Sequence, residues 1–546
     1  MHVAAALVAL ASLASAIPGS DRPAIKSSHE TAKKNAHHIF NEIHSAARQW
    51  GSSLNHNGMG FIPATVLKGS LFYHGTFYKD TPTVPEWLAF EAEHAESFAP
   101  SRRWRNPDDH EDDTPWSISA GEQNSIGSEA DGRSKFRGYL HTYQARRDLN
   151  LLYLDGLGAA KASSGTLDSQ DYVLRRIGSD HDFWDERPRA NDLCNIVTPW
   201  GYDGVIRTEI GFEIIHCNFT DSLDLVSRTR TEIGENKMSW YDTWQFDWAR
   251  AASRRYDGVG ADRLKLDYSS MVSGYWFPMN ISSQVPGRPD LMRLASAEPE
   301  ELDTIRDLVE EVARQPRRHT VDWQGIVDQV ITRFADRFII LTAEEGVSDM
   351  AFKSELEGMT LTYYDAPPHP LDENSVSMTA YYEKREKEAV ERCSKQFLLP
   401  ATIFKDQFSP QDDLIHTAVS EVTHTICEKT QKTWIQLNQT TTEDSSSWAN
   451  EDEASLGPSL ELRRRSDDLT LASAVSEARS AIRDLMQELA WTEWKKTRPC
   501  AADSMVYVAM WPFGEKRDHW NPGCRTLKEI EDIKHGSSYW DDLAAQ

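Results

Sequence analysis

The first half of the chain contains several short runs of apolar residues. Residues 71–76 form an aromatic run that contains the His74-Gly75 pair, and residues 149–155 form a near-continuous apolar run. Runs of this length are typical of strands, and a continuous apolar run indicates burial on both faces of a sheet. Gly75 permits close approach of another group to the backbone. We therefore predict that these two runs are strands of one sheet.

Alternation is clearest in residues 209–214. Apolar side chains fall at every second position, while Glu209, Gly211 and Glu213 occupy the positions between them. Because successive side chains of a strand point to opposite faces, these three residues share the polar face. We predict that Glu213 projects from a strand whose other face is core, with room left for a ligand beside Gly211.

Helical periodicity replaces the short runs after about residue 296. Apolar residues recur at helical spacing in the stretches 299–314, 323–340, 383–396, 414–434 and 469–496, and also near the start in 27–50. The predicted fold class is therefore α+β. A mixed or antiparallel sheet domain with helices (residues 17–290) precedes a mainly helical C-terminal half, which begins with the region 296–439.

The remaining boundaries follow from composition. Residues 440–468 are rich in Ser and Glu with few large apolar side chains, which predicts a disordered linker. Residues 469–546 are expected to form a long helix followed by a disulfide-closed segment. At the other end, residues 1–16 combine an uncharged apolar stretch with a small-residue cleavage signal. This pattern predicts a signal peptide and a secreted, extracellular protein without a membrane-spanning segment after cleavage.

Cysteines and sequons agree with secretion. Six cysteines permit 15 pairings, and their order favours neighbour pairing. The predicted disulfides are Cys194–Cys217, Cys393–Cys427 and Cys500–Cys524. Candidate glycosylation sites of the Asn-X-Ser/Thr type are Asn218, Asn280 and Asn438. We predict no metal site, because the cysteines and histidines lack zinc-binding spacing.

Charge narrows the class of partner. The formal net charge is −26, which disfavours binding to nucleic acid or to anionic membranes. The 18 tryptophans fit either large aromatic cores or sugar-binding surfaces. Trp240, Trp244 and Trp248 are spaced as one stripe of a helix, for which packing on a sheet is favoured over a sugar platform. The chain carries no nucleophile elbow, metalloprotease motif or phosphate loop.

The chain as a whole resembles a family of secreted fungal proteins without an assigned activity. Within it, residues 69–219 resemble the ADP-ribosyltransferase-like superfamily of the His-Gly type. The resemblance rests on residues 71–76, on the segment 87–90, on the strand pair 140–143 and 149–152, and on Asp203-Gly204 followed by Glu213-Ile214.

The superfamily resemblance implies an NAD site. His74 and Gly75 would hold NAD, with Tyr153 on a neighbouring strand, and Glu213 would be catalytic by stabilising the oxocarbenium-like ribose. NAD would then be the substrate of a glycohydrolase or a transferase, and no other cofactor is implied. Glu209 competes with Glu213 for the acidic role. This hypothesis requires His74 and Glu213 to face one cleft.

Two other functions stay open. The tryptophans and the acidic surface also suit a secreted carbohydrate-active or sugar-binding protein, whose catalytic carboxylates cannot be chosen from the sequence. A non-catalytic secreted structural or effector protein held by three disulfides is the third hypothesis. The substrate, whether a small molecule or a protein, is not specified by any of the motifs.

Overall fold

A computed structural model describes residues 25–99, 102–103, 135–136, 138–178, 184–231, 244–260, 263–365, 378–443, 459–497, 499–532, 539–540 and 543. The predicted signal peptide, most of the polar stretch 101–136, Trp240 and residues 444–458 of the predicted linker lie outside these ranges. No helix in the described ranges is long and apolar enough to cross a membrane.

The main sheet lies in the N-terminal half. Its strands are β1 (Gly60–Val66), β2 (Leu71–Thr76), β3 (Glu86–Ala89), β6 (Tyr139–Ala145), β7 (Leu149–Leu154), β8 (Gly204–Glu209), β9 (Gly211–His216), β10 (Leu223–Arg230), β11 (Leu264–Leu266) and β12 (Val272–Ser273). They lie in the order β10-β6-β2-β3-β9-β8-β7-β1-β11, and β12 also pairs with β1. Two smaller pairs join β4 (Arg102–Arg103) to β5 (Lys135–Phe136) and β13 (Ser504–Tyr507) to β14 (Gly523–Thr526).

The sheet is mixed but largely antiparallel. Only the β7–β8 pair is parallel among the strand pairs of the described residues. Strand β7 lies between β1 and β8, and five of its six residues are buried. Its near-continuous apolar sequence thus matches its central position, because both faces are covered.

Short helices cover the sheet. They are α1 (His29–Lys34), α2 (Ala36–Ser45), α3 (Gln49–Leu54), α4 (Ala92–Glu96), α5 (Glu186–Val197), α6 (Phe219–Ser222) and α7 (Trp244–Ser253). The first three replace the single helix predicted over 27–50. The chain breaks between α2 and α3 because Ala47 adopts a left-handed conformation, with φ of 56°.

The second half is mainly helical, as predicted. Its helices are α8 (Pro299–Ala313), α9 (Trp323–Thr342), α10 (Asp349–Thr360), α11 (Met378–Gln396), α12 (Leu399–Thr402), α13 (Pro410–Glu443), α14 (Ser459–Leu489), α15 (Lys516–Trp520) and α16 (Leu527–Glu531). The stretch 440–468 was predicted to be a linker. Helix α13 extends into its start and helix α14 into its end, so the linker prediction now applies to residues 444–458 alone.

One hydrophobic core connects the two halves. Phe40 of α2 stacks on Trp491 with ring centroids 5.7 Å apart, and Phe338 of α9 stacks on the same indole at 6.5 Å. Both predictions of fold class, the α+β sheet domain and the helical second half, are confirmed. The individual domain boundaries stay predictions.

The three predicted disulfides form between sequence neighbours. Cys194 of α5 bonds Cys217 after β9, and Cys393 of α11 bonds Cys427 of α13. Cys500–Cys524 ties the chain before β13 to β14. The described residues contain no free cysteine. The pairing by order in the sequence is therefore confirmed.

Candidate functional site

The residues predicted to bind NAD are packed into the protein interior. His74 of β2 is buried, and its Nδ1 lies 2.8 Å from the carbonyl oxygen of Trp87. A side chain at Gly75 would overlap the carbonyl oxygen of Ala95 in α4, so this glycine gives close approach to a helix and not to a ligand. Tyr153 is fully buried, and its hydroxyl accepts a hydrogen bond from the Ala47 backbone at 2.9 Å.

The sheet register separates His74 from Glu213. Tyr73 pairs with Ala89, and Ala89 pairs with Glu213 across the neighbouring strand. Paired residues share a face and successive residues alternate, so His74 and Glu213 lie on opposite faces. The expectation that His74 and Glu213 face one cleft is therefore wrong. Gly75 shares the face of Glu213, but α4 covers it.

Glu213 instead belongs to a charged hairpin. In β8 and β9, Arg207 pairs directly with Glu213, and Glu209 pairs with Gly211. The Nε of Arg207 donates to Oε1 of Glu213 at 3.0 Å, and Nη2 donates to the same oxygen. The predicted polar face is correct. The space beside Gly211 is occupied, however, because a side chain there would meet Glu91 Oε2 and His94 Nδ1.

Further charged groups complete this arrangement, which we call the hairpin cluster: Arg207, Glu209, Glu213, His94, Lys161 and Glu186. His94 Nε2 lies 3.5 Å from Glu209 Oε1, and Lys161 Nζ lies 3.6 Å from Glu209 Oε2. Glu186, at the start of α5, accepts from Arg207 at 2.6 Å. Glu209 and Glu213 are only 4 % and 5 % exposed, so these ions interact away from bulk water.

The surroundings of the two hairpin carboxyls shift their pKa values in opposite directions. Burial raises the pKa of Glu213, and the nearby negative charge of Glu209 raises it further, against Arg207. Burial also acts on Glu209, but Lys161 and His94 outweigh it and leave the pKa of Glu209 below its usual value. Neighbouring carboxyls whose environments separate their pKa values are the pattern of an acid and a base.

His94 adds a third titratable group. Burial alone would lower the pKa of His94, but its hydrogen bond to Glu209 and the surrounding carboxylates raise it above the usual value. The ring stacks on Trp248 with centroids 4.8 Å apart, and the Trp248 indole donates to the carbonyl of Ile210 at 2.6 Å. Trp248 is thus a core residue that orients His94, as the packed-helix interpretation of the tryptophan stripe predicts. The side chain of Trp244 lies outside the described residues.

Spacing alone would allow a metal at this site. One ligand atom each from His94, Glu209 and Glu213 lie within 4.8 Å of one another. The carboxylates are already engaged by Arg207, Lys161 and His94, however, and a divalent ion would add two positive charges beside two fixed cations. The charge distribution favours proton chemistry over metal binding.

A second pair of carboxyls lies elsewhere in the core. Glu42 of α2 and Asp155 after β7 are both buried, and Glu42 Oε2 accepts from the Ser273 hydroxyl at 2.8 Å. Among the described residues, Glu42 Oε1 has no hydrogen-bond partner and neither carboxyl forms an ion pair with a cationic side chain. Burial and mutual repulsion hold the pKa of Glu42 well above its usual value, and burial raises the pKa of Asp155 to about 7.

The predicted glycosylation sites differ in their surroundings. Asn218 is exposed, and its Oδ1 accepts from the Thr220 hydroxyl of the same sequon at 2.8 Å. Asn280 is exposed in a turn where its Oδ1 accepts from the Ser282 backbone at 3.1 Å. Asn438 lies within α13 and is partly buried. Asn218 and Asn280 therefore stay the better predictions.

Sequence reasoning missed four members of the hairpin cluster. Alternation placed Glu209 and Glu213 on one face, and the same alternation includes Arg207, a charged residue in a strand whose six residues are all buried. This was the one available signal. His94, Lys161 and Glu186 come from three separate segments, and nothing in their local sequence indicates that they meet.

Comparison with known proteins supports the resemblance to a family of fungal proteins without an assigned activity. Residues 28–133 and 101–242 match the family model described as the YPL277C N-terminal domain. The chain is similar to the uncharacterized protein YPL277C of Saccharomyces cerevisiae, with 28% identity over 400 residues, which cover 59% of this chain and 79% of that protein. The uncharacterized protein YOR389W of the same yeast is 28% identical over 364 residues, 54% of this chain and 57% of that protein.

These similarities assign no chemistry. This chain spans little more than half of YOR389W, and no solved structure matches it. The matched region includes all of residues 69–219, yet neither the model's description nor the two names refer to ADP-ribosyl transfer. The expected resemblance to a fungal family is thus supported, while the superfamily resemblance gains nothing from the comparisons.

Proposed function

We propose that this chain is a secreted glycoprotein that cleaves a glycosidic bond with the carboxyl pair Glu209 and Glu213. The observation that carries the proposal is the hairpin geometry: the two carboxyls project from the same face, with oxygen atoms within 4.8 Å of one another, between Arg207 and Lys161. Secretion is supported by the three disulfides, which are typical of oxidising compartments.

The roles of the two carboxyls follow from their environments. Glu213, with its raised pKa, is the proton donor, and Oε1 is held by Arg207, which leaves Oε2 for the proton. Glu209, with its lowered pKa, is the ionised group. Close spacing of two carboxyls is the arrangement of glycosidases that retain the configuration of the sugar, in which the ionised group is a nucleophile.

The reaction then has two balanced steps. Glu213 gives its proton to the glycosidic oxygen as the bond from that oxygen to the anomeric carbon breaks, and Glu209 forms a bond to the same carbon. Water next attacks that carbon and returns a proton to Glu213, while the bond to Glu209 breaks. Arg207 and His94 are positioning residues, because each holds one carboxyl by a hydrogen bond or ion pair.

Cleavage of NAD is the narrower alternative. It retains Glu213 as the group beside the developing oxocarbenium ion, but it loses the contribution of His74 and Gly75, because His74 lies on the opposite face of the sheet and Gly75 is covered by α4. A sugar substrate requires only the carboxyl pair. For this reason we favour a carbohydrate glycoside.

Glu213→Gln is expected to lower turnover about 100- to 10,000-fold, the usual contribution of a general acid. Release of 4-nitrophenol from a panel of 4-nitrophenyl glycosides, and nicotinamide release from NAD, would be measured at pH 5. The exposed Glu93→Gln variant of α4 is the matched control and should keep wild-type rates.

Circular dichroism must show that the Glu213→Gln protein is folded. Glycoside turnover that disappears in this variant supports the proposal. Turnover of NAD but of no glycoside would establish the alternative instead. Unchanged turnover in Glu213→Gln, or no turnover of any probe by the wild type, contradicts the proposal.

A further inference from the structure

Within the described part of the chain, the hairpin cluster is most accessible to solvent at Glu186. The side chains of Arg207, Glu209, Glu213 and Lys161 are each no more than 7 % exposed, whereas that of Glu186 is 20 % exposed. A molecule that approaches the carboxyls therefore meets the surface around Glu186 first. The groups at this point determine what the site admits.

An exposed indole lies beside this opening. Trp184 is 60 % exposed, and its carbonyl accepts from the backbone of Glu186 at 2.8 Å. Its ring centroid lies 5.8 Å from that of Trp511, which is buried. Lys161 Nζ in turn lies 4.9 Å from the centre of the Trp511 ring and 3.6 Å from Glu209. A continuous path of contacts thus runs from the exposed ring to the carboxyl pair.

We infer that Trp184, with Trp511 beneath it, is a docking subsite for a neutral oligosaccharide that leads to Glu209 and Glu213. This inference rests on the proposed function and names its substrate class. The flat apolar face of an exposed indole suits the C–H face of a sugar ring, and a second ring beneath it, Trp511, extends the aromatic surface toward Lys161. The net charge of −26 repels polyanions, which favours an uncharged chain.

The surface around Glu186 also supplies polar groups that can bind sugar hydroxyls. Asp185 and Arg187 flank Glu186 and are exposed, and Arg187 lies over the Trp87 ring at 5.3 Å. An aromatic ring with charged donors and acceptors at its edge is the general composition of a ligand site with a hydrophobic base and a few orienting polar groups. The charged side chains of Asp185 and Arg187 would lie against any bound molecule. A polar ligand such as a sugar therefore fits this surface better than an apolar lipid chain.

Binding can be measured separately from cleavage. The Glu213→Gln protein, which is expected not to hydrolyse its ligand, would be titrated with laminarihexaose, chitohexaose and mannohexaose by isothermal calorimetry. We expect one of these to bind, and Trp184→Ala introduced into the same protein should weaken its affinity about tenfold, equivalent to 1.4 kcal/mol. The control is Trp520→Ala, an indole that is also partly exposed but lies over Arg288.

Each outcome has one meaning. Weaker binding in the Trp184 variant with unchanged binding in the Trp520 variant supports the subsite. Equal affinity in both variants, or no binding of any of the three hexasaccharides, overturns it. If no hexasaccharide binds but the wild type still hydrolyses a small 4-nitrophenyl glycoside, the subsite is wrong while the proposed function stands.

Discussion

Arg207→Met is expected to lower the free energy of unfolding by about 3–5 kcal/mol, the usual cost of removing one partner from a buried ion pair. Methionine fills a similar volume, so the loss is electrostatic. Arg207 is fully buried and donates to Glu213, to Glu186 and, at 2.9 Å, to Gln170. Without it, Glu213 and Gln170 stay buried and lose this donor, whereas Glu186 keeps its ion pairs with Arg189 and Lys161.

The loss would be measured by guanidinium unfolding, followed by tryptophan fluorescence. Arg254→Met is the control, because Arg254 is exposed and should change stability by no more than about 0.5 kcal/mol. The double variant Arg207→Met/Glu213→Gln should recover part of the loss, since a neutral amide is cheaper to bury alone than a carboxylate. An Arg207→Met protein within 1 kcal/mol of the wild type would contradict the role of Arg207 as the centre of the hairpin cluster.

The Glu42–Asp155 pair should contribute more to the stability of the folded protein in mild acid than at neutral pH. Both pKa values are raised in the folded state, so the fold retains protons that the unfolded chain releases. Their contribution is complete below the unfolded values and disappears as the pH rises, for Asp155 from near 3.8 to about 7. Each retained proton corresponds to a loss of about 1.4 kcal/mol per pH unit within that window.

Urea unfolding at pH 5, 6 and 7 would measure this loss as the difference between the wild type and Glu42→Gln. The difference is needed because histidines whose pKa values are lowered by burial, such as His38 and His74, give both proteins a pH dependence of the opposite sign. The amide cannot ionise and keeps a hydrogen-bonding group near Ser273, so the variant should gain stability relative to the wild type as the pH rises. Glu93→Gln serves again as the exposed control. Parallel pH dependence of the wild type and Glu42→Gln would show that this pair does not titrate in the folded protein.

The sequence predicts elements well where periodicity is strong. Strand β2 occupies the predicted residues 71–76, and α8 and α9 begin within a residue of their predicted starts. The break between α2 and α3 was missed because Ala47 is an ordinary helix former, and only tertiary contacts hold it in a left-handed conformation. Neighbour pairing of the cysteines was correct.

The site was harder to predict because register is not local. Alternation over residues 209–214 correctly grouped Glu209, which ends β8, with Glu213 of β9, but it gives no information about how β9 aligns with β2 through β3. The observed alignment, Tyr73 with Ala89 and Ala89 with Glu213, places His74 on the other face. A shift of one residue would have placed the pair together, so the motif alone could not determine the outcome.

The most direct test of the carboxyl pair is chemical rescue of Glu209→Ala. In the proposed reaction this variant lacks the nucleophile, and azide, a small anion, can occupy the vacated space and attack the anomeric carbon. With a 4-nitrophenyl glycoside that the wild type hydrolyses, we predict that sodium azide restores 4-nitrophenol release and yields a glycosyl azide of inverted configuration, while Glu93→Gln shows no response. A folded Glu209→Ala protein that hydrolyses the glycoside at the wild-type rate, or that gains no rate from azide, would contradict the assignment of Glu209 and Glu213.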